Sequence, residues 1–112
     1  MTRPGTVEEF PFTEGLSVFK VAGKMFALTR LPAKPLQVSL KCDPDLAHQF
    51  RRSYEAVQPG YHLNKRHWNT VTLDGSLPDE LVRDMIEDSY DLVVAKLPRA
   101  TQARLGWTAE PV

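Results

Sequence analysis

The chain has 112 residues, 42% of them apolar and 25% charged, with 14 Lys and Arg set against 14 Asp and Glu. At that length one domain hides about 60–70% of the surface its unfolded chain exposes, and the ordinary composition excludes wholesale disorder, collagen and coiled coil. Zero net charge removes the simplest argument for nucleic acid, a strongly basic domain, and the lone Cys42 excludes an internal disulfide and an all-cysteine zinc site while suiting a reducing compartment.

In chain order, the run LSVFKVAGKMFALTRL alternates in two stretches and predicts a hairpin of strands over residues 16–21 and 24–31, reversed at Ala22-Gly23. Alternation puts Phe19 with Val21 on one face of the first strand, and on the second sets Phe26 and Leu28 opposite Met25 and Ala27. Pro32 and Pro35 punctuate a loop. Residues 36–42 then alternate Leu36, Val38, Leu40 and Cys42 against Gln37, Ser39 and Lys41, a third strand with one buried face. Asp43-Pro44 signals a helix start, and the helix runs to about Tyr54 with Leu46, Ala47, Phe50 and Tyr54 on its inner side. Gln58-Pro59-Gly60 is read as a break, residues 61–64 carry no clear period, and residues 68–73 are rich in strand formers and predict a fourth strand.

After a turn at Asp74-Gly75, Ser76 is expected to cap the longest helix, answered in the first turn by Asp79 or Glu80. Val82, Met85, Ile86, Ser89, Val93 and Leu97 form its inner stripe as far as Pro98, and its outer face takes Asp84, Glu87, Asp88 and Asp91. Residues 100–112 show no periodicity and are expected to be a flexible tail, with the docking of Trp107 left open. The expectation is one domain over residues 1–99, of α+β class, with a mostly antiparallel sheet and helices on one face.

Counted by segment, neutrality is a cancellation. Residues 1–40, 41–72 and 96–112 are each net +2, whereas residues 73–95 are net −6, with Arg83 alone against seven acidic groups. No charged-then-apolar leader opens the chain and no stretch approaches the ~20 apolar residues of a membrane span, so the reading is a soluble cytoplasmic protein with no membrane partner.

The glycines are too scattered for a phosphate-cradling loop. His62 and His67 stand five residues apart, which fits neither the HExxH helix nor a CxxC-type zinc pair, and Lys65 and Arg66 between the imidazoles would repel a metal, so no metal and no cofactor are expected. Cys42 could be a thiol nucleophile near a helix N-terminus, with His62 or His67 as base; its place on the face of Val38 and Leu40 favours a small buried hydrophobe instead. No acid–base pair stands out, and the chain is not expected to be an enzyme.

The sharpest local feature is YHLNKRHW, residues 61–68, with two fixed cations, two imidazoles, an amide and two aromatics just before a strand. Cations bind phosphates, and aromatic faces stack on bases or hold the cations in place, which makes it a candidate nucleic-acid contact loop. The alternative is that Tyr61 and Trp68 close the edge of the core and Lys65-Arg66 are a solvated turn.

The hairpin VFKVAGKMFAL, the run VSLKCDP, the segment PGYHLNKRHW, and SLPD followed by SYDLVVAKLP resemble the MmcQ/YjbR family in its own order over about residues 10–98. The resemblance implies a CyaY-like, frataxin-like fold. Family members are described as DNA-binding because their shape is similar to a double-wing DNA-binding domain, so the resemblance implies a contact set of Lys24, Lys41, Asn64, Lys65, Arg66, His67 and Trp68. It brings no catalytic residue. The family usually begins with a helix ahead of the Pro-Gly found here at Pro4-Gly5; with Met1-Thr2-Arg3 alone before it, either the true start lies upstream or a sheet face lacks a cover. An uncovered apolar face would favour a homodimer through that face.

The leading expectation is therefore a small non-enzymatic DNA-binding protein using the basic loop and sheet surface. The alternative is an interaction module whose acidic helix face, Asp84, Glu87, Asp88 and Asp91, docks a basic partner. A frataxin-like metal role ranks below both.

Overall fold

The computed structural model describes residues 4–9, 16–30, 36–60 and 64–107, apart from the side chains of Leu16 and Arg30, and the structural statements below concern these. The loop at Pro32 and Pro35, Tyr61 and His62, and the tail beyond Trp107 lie outside the described residues.

Strands β1 (Thr6–Glu9), β2 (Leu16–Val21), β3 (Lys24–Arg30), β4 (Leu36–Lys41), β5 (Val57–Pro59) and β6 (Trp68–Leu73) form one sheet in the order β1-β2-β3-β4-β6-β5. Every pairing is antiparallel. Helix α1 (Pro44–Ser53) packs on β5 and β6, and α2 (Asp79–Val94) on β2, β3 and β4; a short α3 (Arg99–Arg104) follows. The α+β class and the helices on one side of an antiparallel sheet are as the sequence predicts.

The β2–β3 turn has Ala22 at φ 49° and Gly23 at φ 78°, left-handed at both central positions, as the twist of a two-residue hairpin demands. Beyond it the β2–β3 register shifts, leaving Phe26 without an opposed residue on β2. This bulge lets the consecutive Phe26 and Ala27 both bury completely in the core cluster, while Leu28 stays half-exposed outside it. The expected sharing of a face by Phe26 and Leu28 is thereby corrected.

Asp43 caps α1 as predicted, its Oδ1 accepting from the Asp45 and Leu46 amides at 3.0 and 3.4 Å, with Pro44 in the first turn where it needs no donor. Ala47 is buried and Phe50 and Tyr54 pack on the core, but Leu46 stands 42% exposed because it lies about a quarter-turn off the stripe of 47, 50 and 54. Ser76 does not cap α2: its amide donates to Asp74 Oδ1 at 3.0 Å, and Pro78 occupies the cap position without a side-chain bond. The helix ends at Val94 rather than near Pro98.

The inner side of α2 includes Tyr90 and Val94, which the predicted stripe omits. Tyr90 meets Phe26 edge-to-face, centroids 5.3 Å apart, and its hydroxyl donates to the Pro4 carbonyl at 2.6 Å, fastening the chain's start. Ser89 Oγ accepts from the Lys41 amide at 2.8 Å and donates to the Phe26 carbonyl at 2.5 Å, tying α2 to β3 and β4.

Three elements are absent from the sequence reading. Strand β1 is an edge strand of largely exposed residues. Strand β5 falls on the expected break, buries Val57, and carries Pro59 at an outer edge where no ladder donor is needed. After it, Gly60 donates to the Trp68 carbonyl at 2.9 Å, and a Cβ there would come within 2.7 Å of Trp68 Cβ, so Pro59-Gly60 is a close backbone approach.

Helix α3 corrects the expected tail over residues 100–107. Gln102 Nε2 donates to the carbonyls of Val94, Ala95 and Leu97 at 3.0, 3.2 and 3.1 Å, capping the end of α2 from outside the helix. Leu105 and Trp107 pack on the core cluster.

Candidate nucleic-acid interface

Lys24 opens β3, Lys41 closes β4, and Trp68 opens β6 directly across from Lys41, so these residues and the turn over 64–67 lie at one end of the sheet. They are not equally available. Lys24, Lys65 and Arg66 are exposed; Lys41 and His67 are half-buried; Trp68 is 8% exposed, and its ring is not offered to a base. Burial, and then the charge of Lys96, pull the Lys41 ammonium below its usual pKa. Asn64 is exposed but internally committed. Its Oδ1 accepts from the Arg66 amide at 2.9 Å and its carbonyl from the amides of His67 and Trp68 at 3.2 and 2.9 Å. The His67 carbonyl in turn accepts from the Cys42 amide at 2.7 Å, fastening the turn to the end of β4.

The residue that fixes this turn was not among the predicted contacts. Arg51, on α1, donates from Nε to Asn69 Oδ1 at 2.6 Å and from Nη2 to the carbonyls of Lys65 and Trp68, the latter at 3.1 Å. Asn69 is itself buried and donates to the Ala47 carbonyl at 3.4 Å, so α1, β6 and the turn share one hydrogen-bonded joint. The planar guanidinium serves these acceptors from two separate nitrogens of a rigid fork, a spread that the single nitrogen of an ammonium does not have.

On the outer side of α1 an open, shallow groove is lined by Asp45, His48, Gln49 and Arg52 of the helix, by Arg51, and by Arg66 from the turn. Positions 45, 48, 49 and 52 recur at helical spacing and so form one exposed stripe. Three guanidinium groups there face one carboxylate. The adjacent Arg51-Arg52 was legible as a charged pair, but its meeting with Arg66 depends on the fold.

Among the acidic candidates, Asp84, Glu87 and Asp88 are exposed, whereas Asp91 is half-buried and accepts from Trp107 Nε1 at 3.0 Å. Burial, then Asp91, Asp84 and Glu87, push the Asp88 carboxyl above its usual pKa. Between the helices a narrow, mostly apolar crevice is lined by Leu40, Phe50, Val71 and Met85, with Lys41, Cys42 and Asp88 also on its wall. Cys42 is half-buried just beyond the end of β4; burial first, then Asp43 and Asp88, push its thiol up to about 11. Among the described residues, no three His, Cys, Asp or Glu side chains converge as metal ligands, and no helix is long and apolar enough to cross a membrane.

The YjbR family model matches residues 1–92. The chain belongs to the YjbR family. It is 38% identical over 98 residues to the uncharacterised protein YjbR of Escherichia coli K12, covering 88% of this chain and 83% of that one. It is also 38% identical over 97 residues to the uncharacterised protein YbdF of Escherichia coli O157:H7, covering 86% and 79%. The crystal structure of Deinococcus radiodurans protein DR2400 superposes with a TM-score of 0.90 at 42% identity, over 96% of this chain and 82% of that one. A Pseudomonas syringae crystal structure gives 0.68 at 31% identity, over 78% and 86%. The Deinococcus radiodurans structure thus shares the frame on which the basic end is built.

Proposed function

We propose that this YjbR-family chain is a non-enzymatic nucleic-acid-binding protein that engages DNA through the basic end of its sheet. The observation that carries the reading is the clamped turn over residues 64–67. Arg51, Asn64 and the Cys42 amide absorb its internal hydrogen-bonding demand, leaving Lys65 and Arg66 exposed on a fixed backbone. Cations carried on a fixed backbone lose side-chain freedom alone on binding phosphates, with no loop left to order. The −6 segment lies mostly on α2, with Asp74 in the turn before it, so a polyanion meets attraction from one side and repulsion from another. This is the field of a weak, salt-sensitive, oriented binder.

The test is a titration of labelled single-stranded and duplex DNA over a salt series. Replacing Lys65 and Arg66 by alanine is expected to weaken binding to every sequence and to flatten the log–log salt slope by about 2. No binding by the unaltered chain at low salt rejects the reading.

The interaction-module alternative rests on the acidic face, which offers Asp84, Glu87 and Asp88 while Asp91 is engaged by Trp107. A second copy of the chain is the partner proposed for the helix-free face of the sheet, where Val7 stands 53% exposed on the edge strand. Light scattering at tens of micromolar reads a doubled mass if so, and a monomer mass rejects it.

A further inference from the structure

We infer that the groove between α1 and the 64–67 turn is a phosphate site, in which Arg52 and Arg66 hold the anion beside His48 and no base is stacked. The inference deepens the nucleic-acid reading by naming where a phosphate sits and what is recognised, and it adds residues of α1 to that reading.

The cations of the groove differ in how their donors are used. Of the three arginines lining the groove, Arg51 spends its Nε and Nη2 on Asn69, Lys65 and Trp68, so its charge contributes to the field while its donors stay in the frame. Arg52 and Arg66 are exposed, one from the last turn of α1 and one from the clamped turn. Two guanidinium groups on independently fixed backbone segments flanking an open groove can present planar pairs of donors to the oxygens of one phosphate. His48 lies one helical turn before Arg52 on the same stripe and adds an imidazole donor.

Asp45 is the opposing group. It lies at the N-terminal end of the stripe, where its charge suits the first turn of α1, and it would repel an anion. The phosphate therefore belongs at the Arg52–Arg66 end.

Among the described residues the groove carries no Phe, Tyr or Trp, and Trp68, at the end of the neighbouring turn, is buried. Stacking on aromatic rings is what makes single strands preferred targets. A site that holds phosphates alone gives a single strand no advantage over a duplex of equal length, whose phosphate charge is denser.

The test uses the full chain with inorganic pyrophosphate as probe, followed by His48 ring resonances in NMR, and separately a short oligothymidylate and a duplex of the same length. Pyrophosphate is expected to shift the His48 resonances. Arg52→Ala should weaken its binding roughly fivefold and Asp45→Asn should tighten it about twofold, the range of exposed charge pairs. The single strand should bind no more tightly than the duplex. Both substitutions are at exposed positions, so neither threatens folding.

Unmoved His48 resonances at millimolar pyrophosphate, or an Arg52→Ala chain that binds as tightly as the original, overturns the inference. A single strand bound ten times more tightly than the duplex overturns the claim that no base is stacked. Pyrophosphate binding without DNA binding upholds the phosphate site and rejects the nucleic-acid reading, so the two fail separately.

Discussion

The basic end and the acidic face of this protein carry opposite charges and handle them in opposite ways. At the basic end, polar groups of the frame satisfy one another: Arg51 with Asn69 and two carbonyls, Asn64 with three backbone amides, the Cys42 amide with the His67 carbonyl. Lys65, Arg66 and Arg52 are left facing solvent. On α2 one of the charges is itself structural, because Asp91 holds Trp107 and with it the segment that caps the helix end. A charged group whose hydrogen-bonding capacity is already used holds the fold together; one left exposed on a fixed backbone is available to a partner.

The largest expected effect breaks the basic end. Arg51→Ala removes the donor to the buried Asn69 oxygen and to two carbonyls, and leaving buried acceptors unpaired costs about 2–3 kcal/mol. Urea unfolding should show that loss, and DNA affinity should fall as Lys65 and Arg66 lose their fixed turn. Arg51→Lys retains the charge but not the fork, and should recover only part of both losses.

On the other side, Trp107→Ala should cost about 1–2 kcal/mol by releasing Asp91 and apolar packing, again read by urea, while DNA affinity holds. Loss of DNA binding in this variant would mean the two regions are coupled.

Cys42 lies between the two regions and reports on both. With its thiol raised from 9.0 to about 11, the thiolate fraction at pH 8 is about a hundredfold below that of an unperturbed thiol, and alkylation should be slowed in proportion. The folded state holds this proton more tightly than the unfolded state. Its contribution to stability is therefore complete below about pH 9 and is lost as pH rises towards 11. Alkylation as fast as that of a free cysteine would show an open crevice.

The smallest effect is on the acidic face. Asp88→Asn relieves repulsion by Asp91, Asp84 and Glu87, and should raise stability by a few tenths of a kcal/mol at neutral pH, screened by solvent and salt.

What was legible in the sequence, and what was not, follows the range of the interactions. The Ala22-Gly23 hairpin, the alternation of Leu36, Val38 and Leu40, the Asp43 cap and most of the α2 stripe are set by residues a few positions apart, and all are present. Strand β1 gave no periodic signal because Val7, Glu8 and Glu9 are all exposed at a sheet edge. The bulge at Phe26 leaves no mark on periodicity, and α3 exists because Gln102 finds the carbonyls of another helix.

The site divides in the same way. Lys65 and Arg66 were visible as an exposed pair before a strand, and the family resemblance supplied the rest of the contact set. That Asn64 is committed internally, that Trp68 is buried and that Arg52 joins Arg66 across a groove are consequences of the fold.

The most direct test sets the two regions against each other in one experiment. DNA affinity is measured at a single low salt for the unaltered chain, for Arg52→Ala/Arg66→Ala and for Asp84→Asn/Glu87→Gln. The first pair is expected to lose at least tenfold, at about fivefold per exposed contact, and the second to bind unchanged or slightly more tightly. Loss of binding in the acidic variant, with the arginine variant unaffected, would contradict this.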